Sequence, residues 1–217
     1  SGTGTNSLVF TTVIAEDDTA SSDLSVSSFG GTIADAAGGA AGAASGDLGA
    51  VTVDGDAPDL SSVTASDATY KIGDTISITV TWDEAVVVSG TPTLTLSNND
   101  VASYVSGSGS TALVFTTVIA EDDTASADLS LSSFGGQITD AAGGAAGAAS
   151  GDLGAVTVDG DAPDLVSVAD QGDTALGVGD THTFTVTWDE AVITSNGALT
   201  LSNSASAVYT SGSGNAA

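Results

Sequence analysis

The sequence predicts an all-β protein, a linear array of β-sandwich repeats of about 105 residues. Three observations lead there: the chain repeats itself at one fixed offset, its apolar residues alternate with polar ones in short runs, and no stretch carries a convincing 3.6-residue period.

The repeat organises the chain. LVFTTVIAEDDTAS at 8–21 recurs unchanged at 113–126, and AAGGAAGAASGDLGAVTVDGDAPDL at 36–60 recurs unchanged at 141–165. Between 7–60 and 112–165 five positions differ, Ser7/Ala112, Ser22/Ala127, Val26/Leu131, Thr32/Gln137 and Ala34/Thr139, so 49 of 54 are identical. The remainder recurs less faithfully. TISITVTWDEAVVVSG (75–90) matches THTFTVTWDEAVITSN (181–196), and PTLTLSNN (92–99) matches ALTLSNSA (198–205), with one extra residue near Gln171 compensated near Gly197. The period is too long for a solenoid turn and suits complete small domains on a string. Gly/Ser turns at 1–6, 106–111 and 211–216 divide the repeat at one place. The expected organisation is therefore the C-terminal half of one repeat at 1–53 (strands E to G), a complete repeat at 54–158, and the N-terminal half of a further repeat at 159–217 (strands A to D).

Within one repeat, the segment 75–82 sets Ile76, Ile78, Val80 and Trp82 on one face and four Ser/Thr residues on the other. His182, Phe184, Val186 and Trp188 repeat the pattern. Further strands are expected near 60–65 and at 93–97, 101–105, 112–120, 129–134 and 155–158, with Ser-Gly, Asn-Asp and Gly-Asp turns between them. The Ala-rich run 141–149 is broken by glycines and reads as a loop. About seven short strands per repeat give an immunoglobulin-like sandwich, here without a disulfide, since the chain has no Cys.

Composition narrows the function. Asp and Glu total 28 against one Lys+Arg, Lys71, for a formal charge of −27. A nucleic-acid binder needs cations to displace phosphate counterions, and an anionic membrane surface would repel this chain. No run approaches the roughly 18 apolar residues of a spanning helix, and no segment has signal-peptide anatomy. The acids are 24 Asp and 4 Glu, and Asp is the residue of turns and hard-cation loops. Yet 41% of residues are hydrophobic and mean hydropathy is +0.27, unlike a disordered acidic tail.

The order of segments, DGDAPDLSSV, GDTISITVTWDEAV, YVSGSGS, ITDAAGG and AVTVDG, resembles the bacterial immunoglobulin-like, cadherin-like tandem repeats of giant calcium-dependent cell-surface adhesins. The resemblance covers essentially the whole chain. It implies an extracellular, non-catalytic protein at the cell surface, stiffened by calcium between domains. The linker Asp-Gly-Asp-Ala-Pro-Asp resembles a cadherin linker without its Asn.

Topology groups the acids independently of that resemblance. If strand A leaves the linker, strand B returns to it at 83–84, strand E ends away from it at 121–123, and strand F comes back at Asp140. The first junction then gathers Glu16, Asp17 and Asp18 from the preceding repeat, Asp54, Asp56 and Asp59 from the linker, and Asp83, Glu84 and Asp140 from the following repeat. The second gathers Glu121, Asp122 and Asp123, then Asp159, Asp161 and Asp164, then Asp189 and Glu190. Two carboxylates 4 Å apart repel by about 4 kcal/mol at an effective dielectric near 20. Such a cluster therefore raises its own pKa values or takes up a divalent cation. Calcium accepts six to eight oxygens in flexible geometry. Zinc and copper are poor candidates for a chain with no Cys and one His. The competing explanations are solvated turn aspartates splayed apart and general salt adaptation.

Catalytic readings are weak. His182 stands where the other copy has Ile76, which suits packing better than catalysis, and without it no Ser-His-Asp set can be assembled. Asp83 and Glu84 are adjacent on a strand and point to opposite faces, unlike a glycosidase pair. The segment GGAAGAASGD at 38–47 and 143–152 lacks both the GGxGxD spacing and the Lys of a phosphate loop. The leading expectation is a non-catalytic extender segment of a surface adhesin or fibre. Its partners would be neighbouring repeats of the same or identical chains, head to tail. The rivals are a ligand- or glycan-binding module and a subunit of an extracellular filament, sheath or surface layer. The near-identity of the repeats favours the extender, because a ligand reader would be expected once, with divergent loops.

Overall fold

The computed structural model describes residues 4, 6–43, 45–170, 172 and 175–212. The Gly/Ser turns at 1–6 and 211–216 and the extra residue near Gln171 fall wholly or partly outside them. The described residues are all-β, with strands in several sheets and no helix. The chain divides into two compact units, 1–159 and 160–217.

In the first unit, β1 (Asp18–Ser21), β2 (Ser25–Val26), β3 (Gly46–Asp47) and β4 (Val53–Gly55) are short. β1 pairs with β4 and β2 with β3, both antiparallel. Nine longer or better-packed strands follow: β5 (Leu60–Thr64), β6 (Ala68–Lys71), β7 (Thr75–Leu96), β8 (Val101–Ser106), β9 (Ser110–Val118), β10 (Asp123–Ser126), β11 (Ser130–Thr139), β12 (Gly151–Asp152) and β13 (Val156–Gly160).

The segments read separately as 75–82 and 93–97 are one 22-residue strand. Its first part, 75–82, pairs with β5 and β9, and its second part, 87–96, pairs with β11 and β8. Because β8 also pairs with β9, β7, β8 and β9 close a cycle of pairings. The reason lies in the residues between the two parts. Glu84 to Val88 keep the alternation of a strand, with Val86 fully buried, so nothing there ends the extended backbone. β13 forms a second sheet with β10 and runs parallel to β6.

One core joins the sheets. It includes Ile76, Ile78, Val80 and Trp82 of β7, Leu113 and Phe115 of β9, Leu131 and Ile138 of β11, and Val156 and Val158 of β13. Edge-to-face contacts of Trp82 with Phe134 (6.4 Å), Tyr104 with Phe115 (5.7 Å) and Phe115 with Phe134 (6.3 Å) tie it together. The Ala-rich run after β11 is loop, touching back through the single bridge Thr139–Ala145.

The second unit contains β14 (Leu165–Asp170) paired with β15 (Phe184–Trp188), and β16 (Ala198–Thr200) paired with β17 (Ser206–Val208). His182 packs edge-on against Phe184 at 4.7 Å, and its Nε2 lies 3.6 Å from Asp170 Oδ2.

Candidate metal-binding site

The linker 54–59 collects two groups of carboxylates within the first unit. Glu16, Asp17 and Asp56 form one, and Asp54, Glu84 and Asp140 the other. In each, one carboxylate oxygen from every residue lies within 4.8 Å of the other two.

Local chemistry sets each arm. Glu16 and Asp17 occupy a turn in which Asp17 has φ 65°, a conformation that Asp tolerates better than most residues. Asp17 N–H donates to Gly55 O at 2.7 Å. Asp18 caps the same turn, its Oδ2 accepting from Ala15 N–H at 2.8 Å. Gly55 is what lets the turn approach the linker. A Cβ there would sit 2.9 Å from Asp18 N and would collide with Asp18 O. Glu16 Oε1 accepts from Ala57 N–H at 3.0 Å. Asp59 and Asp83 clamp the linker to β7. Asp59 N–H donates to Asp83 Oδ1 at 2.9 Å, and Asp83 N–H donates to Asp59 O at 3.0 Å. Asp140 is buried, and its Oδ1 accepts from Gly143 N–H at 2.6 Å and Gly144 N–H at 2.9 Å.

The electrostatics follow from crowding. Loss of hydration raises the Glu84 carboxyl above its ordinary range, and the charges of Asp140, Asp54, Asp83 and Asp56 raise it further. Asp56 is raised in the same way, by lost hydration and then by Asp83, Glu16, Asp17 and Asp54. The two groups therefore feel one another through the linker. Glu84 Oε1 is buried and has no hydrogen-bond partner, a costly state for a carboxylate oxygen. An all-oxygen, multiply anionic set with one orphaned acceptor fits a hard divalent cation of the calcium type. Glu16, Asp17 and Asp56 would hold one such ion and Asp54, Glu84 and Asp140 another.

The acids expected around the second linker are divided between the units. Glu121, Asp122, Asp123 and Asp159 belong to the first, and Asp161, Asp164, Asp189 and Glu190 to the second. Within its own unit each repeats the behaviour of its counterpart where one is visible. Asp122 has φ 69°, and Asp123 Oδ2 accepts from Ala120 N–H at 2.6 Å. Asp164 and Asp189 form the reciprocal clamp, with Asp164 N–H donating to Asp189 Oδ1 at 2.8 Å and Asp189 N–H to Asp164 O at 3.1 Å.

Two acids escaped the sequence reading. Asp100 is half-buried in the Asn98–Asn99–Asp100 turn, where Asn98 Nδ2 donates to its Oδ2 at 2.9 Å. Burial pushes its carboxyl up, the Asn98 amide opposes, and the Asp123 charge and a hydrogen bond shared with Asp123 add to the rise. The run SNND reads as an ordinary turn, and no spacing links position 100 to 123. Asp67 Oδ1 accepts from Ala155 N–H, 88 residues away, at 3.0 Å, and no local pattern announces that contact. Comparison with family models, curated proteins and solved structures finds no match to this chain.

Proposed function

We propose that this chain is a non-catalytic, extracellular structural segment, an extender of tandem immunoglobulin-like repeats in a surface adhesin or fibre, with calcium stiffening its inter-repeat junctions. The observation that carries this reading is the composition of the two carboxylate groups. Glu16 and Asp17 come from one repeat, Asp54 and Asp56 from the linker, and Glu84 and Asp140 from the next repeat. A cation bound there ties consecutive repeats together, which is what a stiff spacer needs and a lone binding module does not. Support for the repeat architecture comes from the complete repeat, whose strands form two sheets over one core. Its near-identical sequence recurs in 1–53 and in the linker after it.

Calorimetry and small-angle scattering with calcium and with chelator test the reading. An ion that binds the folded state alone adds about 2.7 kcal/mol of stability at a hundredfold excess over Kd. Calcium should raise the melting temperature and narrow the distribution of interdomain angles. A melting curve and a scattering profile that chelator leaves unchanged would refute it.

A further inference from the structure

We propose that residues 7–53 of one copy of this chain and residues 160–212 of a second copy join to complete one sandwich, so that the protein assembles head to tail. The intact repeat supplies the template, because both segments carry its sequence and already hold its internal registers. In the second unit, Val168 faces Val186 and Ala169 faces Thr185, as Val63 faces Val80 and Thr64 faces Thr79. Leu199 faces Ala207 and Thr200 faces Ser206, as Leu94 faces Ala102 and Thr95 faces Val101. In the first segment, Ser25 and Val26 face Asp47 and Gly46, as Ser130 and Leu131 face Asp152 and Gly151.

Each segment exposes the face that the other's counterpart covers in the intact repeat. Phe115 is fully buried against β7, whereas Phe10, in the same sequence, is 70% exposed and Leu8 is 41% exposed. On the other side, Trp188 and Tyr209 are 39% and 41% exposed, while their counterpart Trp82 is 1% exposed. Phe10 and Phe29 already stack edge-on at 5.7 Å, the counterpart of the Phe115–Phe134 pair. They lack only the Trp and Tyr that complete that cluster within the intact core. The pairings Ile78–Phe115, Thr79–Val114 and Val80–Leu113 translate directly into Phe184–Phe10, Thr185–Val9 and Val186–Leu8 between copies. The second copy is the occupant that matches in sequence, register and aromatic content. The interface is heterologous, so it propagates as a linear array rather than closing into a ring. It requires no cation, which separates it from the calcium reading.

Disulfide trapping tests the register, in a chain with no native Cys. Thr11 and Thr183 are both exposed, and their counterparts Thr116 and Ser77 are directly paired, within the Cα separation a disulfide spans. The full chain carrying Thr11→Cys and Thr183→Cys, oxidised at high concentration in chelator, should give a ladder of covalent dimers, trimers and longer species. Thr11→Cys with Thr187→Cys, four residues out of register and so about 13 Å away, should give little. Sedimentation of the unmodified chain should show mass rising with concentration. A monomer at every concentration, an intramolecular disulfide, or equal ladders from both variants would each overturn the proposal.

Discussion

Asp35 and Asp140 show how far a short motif carries its own structure. Asp35 Oδ1 accepts from Ala37 and Gly39 N–H, and Asp140 Oδ1 from Gly143 and Gly144 N–H. Asp35 N–H donates to Gly39 O and Asp140 N–H to Gly144 O, both at 2.9 Å. One is exposed and the other buried, yet the Asp-Ala-Ala-Gly-Gly turn closes in both, because its bonds are local. What burial changes is the company. Asp140 meets Glu84, whose orphaned Oε1 and raised pKa mark the strained point of the junction. A carboxyl raised in the folded state binds more protons there than when unfolded. Its contribution therefore falls as pH climbs from the unfolded value through the raised one. Glu84, Asp56 and Asp100 all have that sign. Asp35, lowered chiefly by its Gly39 and Ala37 hydrogen bonds, has the opposite sign and loses its contribution only in stronger acid. In chelator, the melting temperature should therefore rise as pH drops from 7 toward about 5, a range just above the ordinary Glu value near 4.3. Glu84→Gln should flatten that rise, increase stability in chelator at neutral pH, and reduce the gain from calcium. Thermal melts of both proteins across pH, with and without calcium, check all three outcomes.

Strands behave differently from turns. Residues 110–118 form β9, but 7–13, identical to 112–118 apart from Ser7 for Ala112, form no strand. A strand's backbone groups are satisfied by a neighbour rather than by itself, and β9 lies between β7 and β8. The same contrast predicts a split between two identical substitutions. Phe115→Ala empties a fully buried site and should cost about 3–5 kcal/mol. Phe10→Ala removes a ring that is mostly exposed, and should change the stability of the dilute chain by no more than about 0.5 kcal/mol. Urea unfolding at dilute concentration reads both, and equal losses would contradict the exposure of residues 7–15. The alternation of 75–82 made that segment legible beforehand, as did the turns around 97–100 and 106–111. The continuity of β7 was not legible. Asp83-Glu84 and Ser89-Gly90-Thr91-Pro92 look like interruptions, and only pairing with β11 keeps the backbone extended through them.

A net charge of −27 on 217 residues opposes both compaction and association of like copies. Screening shortens that repulsion from about 8 Å at 0.15 M salt to about 3 Å at 1 M, while contacts such as Phe10 with Phe184 are apolar and survive it. Head-to-tail association should therefore strengthen with added monovalent salt, the reverse of an interface held by ion pairs. Sedimentation across ionic strength at fixed protein concentration checks this, and dissociation at high salt would argue against an apolar junction. Calcium should strengthen association beyond its ionic strength only if it also neutralises the linker acids. Glu84→Gln distinguishes the two effects by removing the specific one alone.

The near-identity of 7–60 and 112–165 separates two kinds of information within one chain. The Asp-led turns, the left-handed Asp17 and Asp122, the two-residue pairings β2–β3 and β11–β12, and the acid-rich linker recur in both copies, because each rests on hydrogen bonds between residues close in sequence or on intrinsic backbone preference. The all-β class was legible for the same reason, from alternation within short runs. Whether Leu8 and Leu113, or Val51 and Val156, are exposed or buried cannot be read from their identical surroundings. Leu113 and Val156 are fully buried, Leu8 and Val51 are 41% and 39% exposed, and the difference is the presence of β5, β7 and β8 beside one copy. Burial and long-range pairing depend on a partner face, and the linker acids become a candidate cation site only where Glu84 and Asp140 are brought to them by that same long-range pairing.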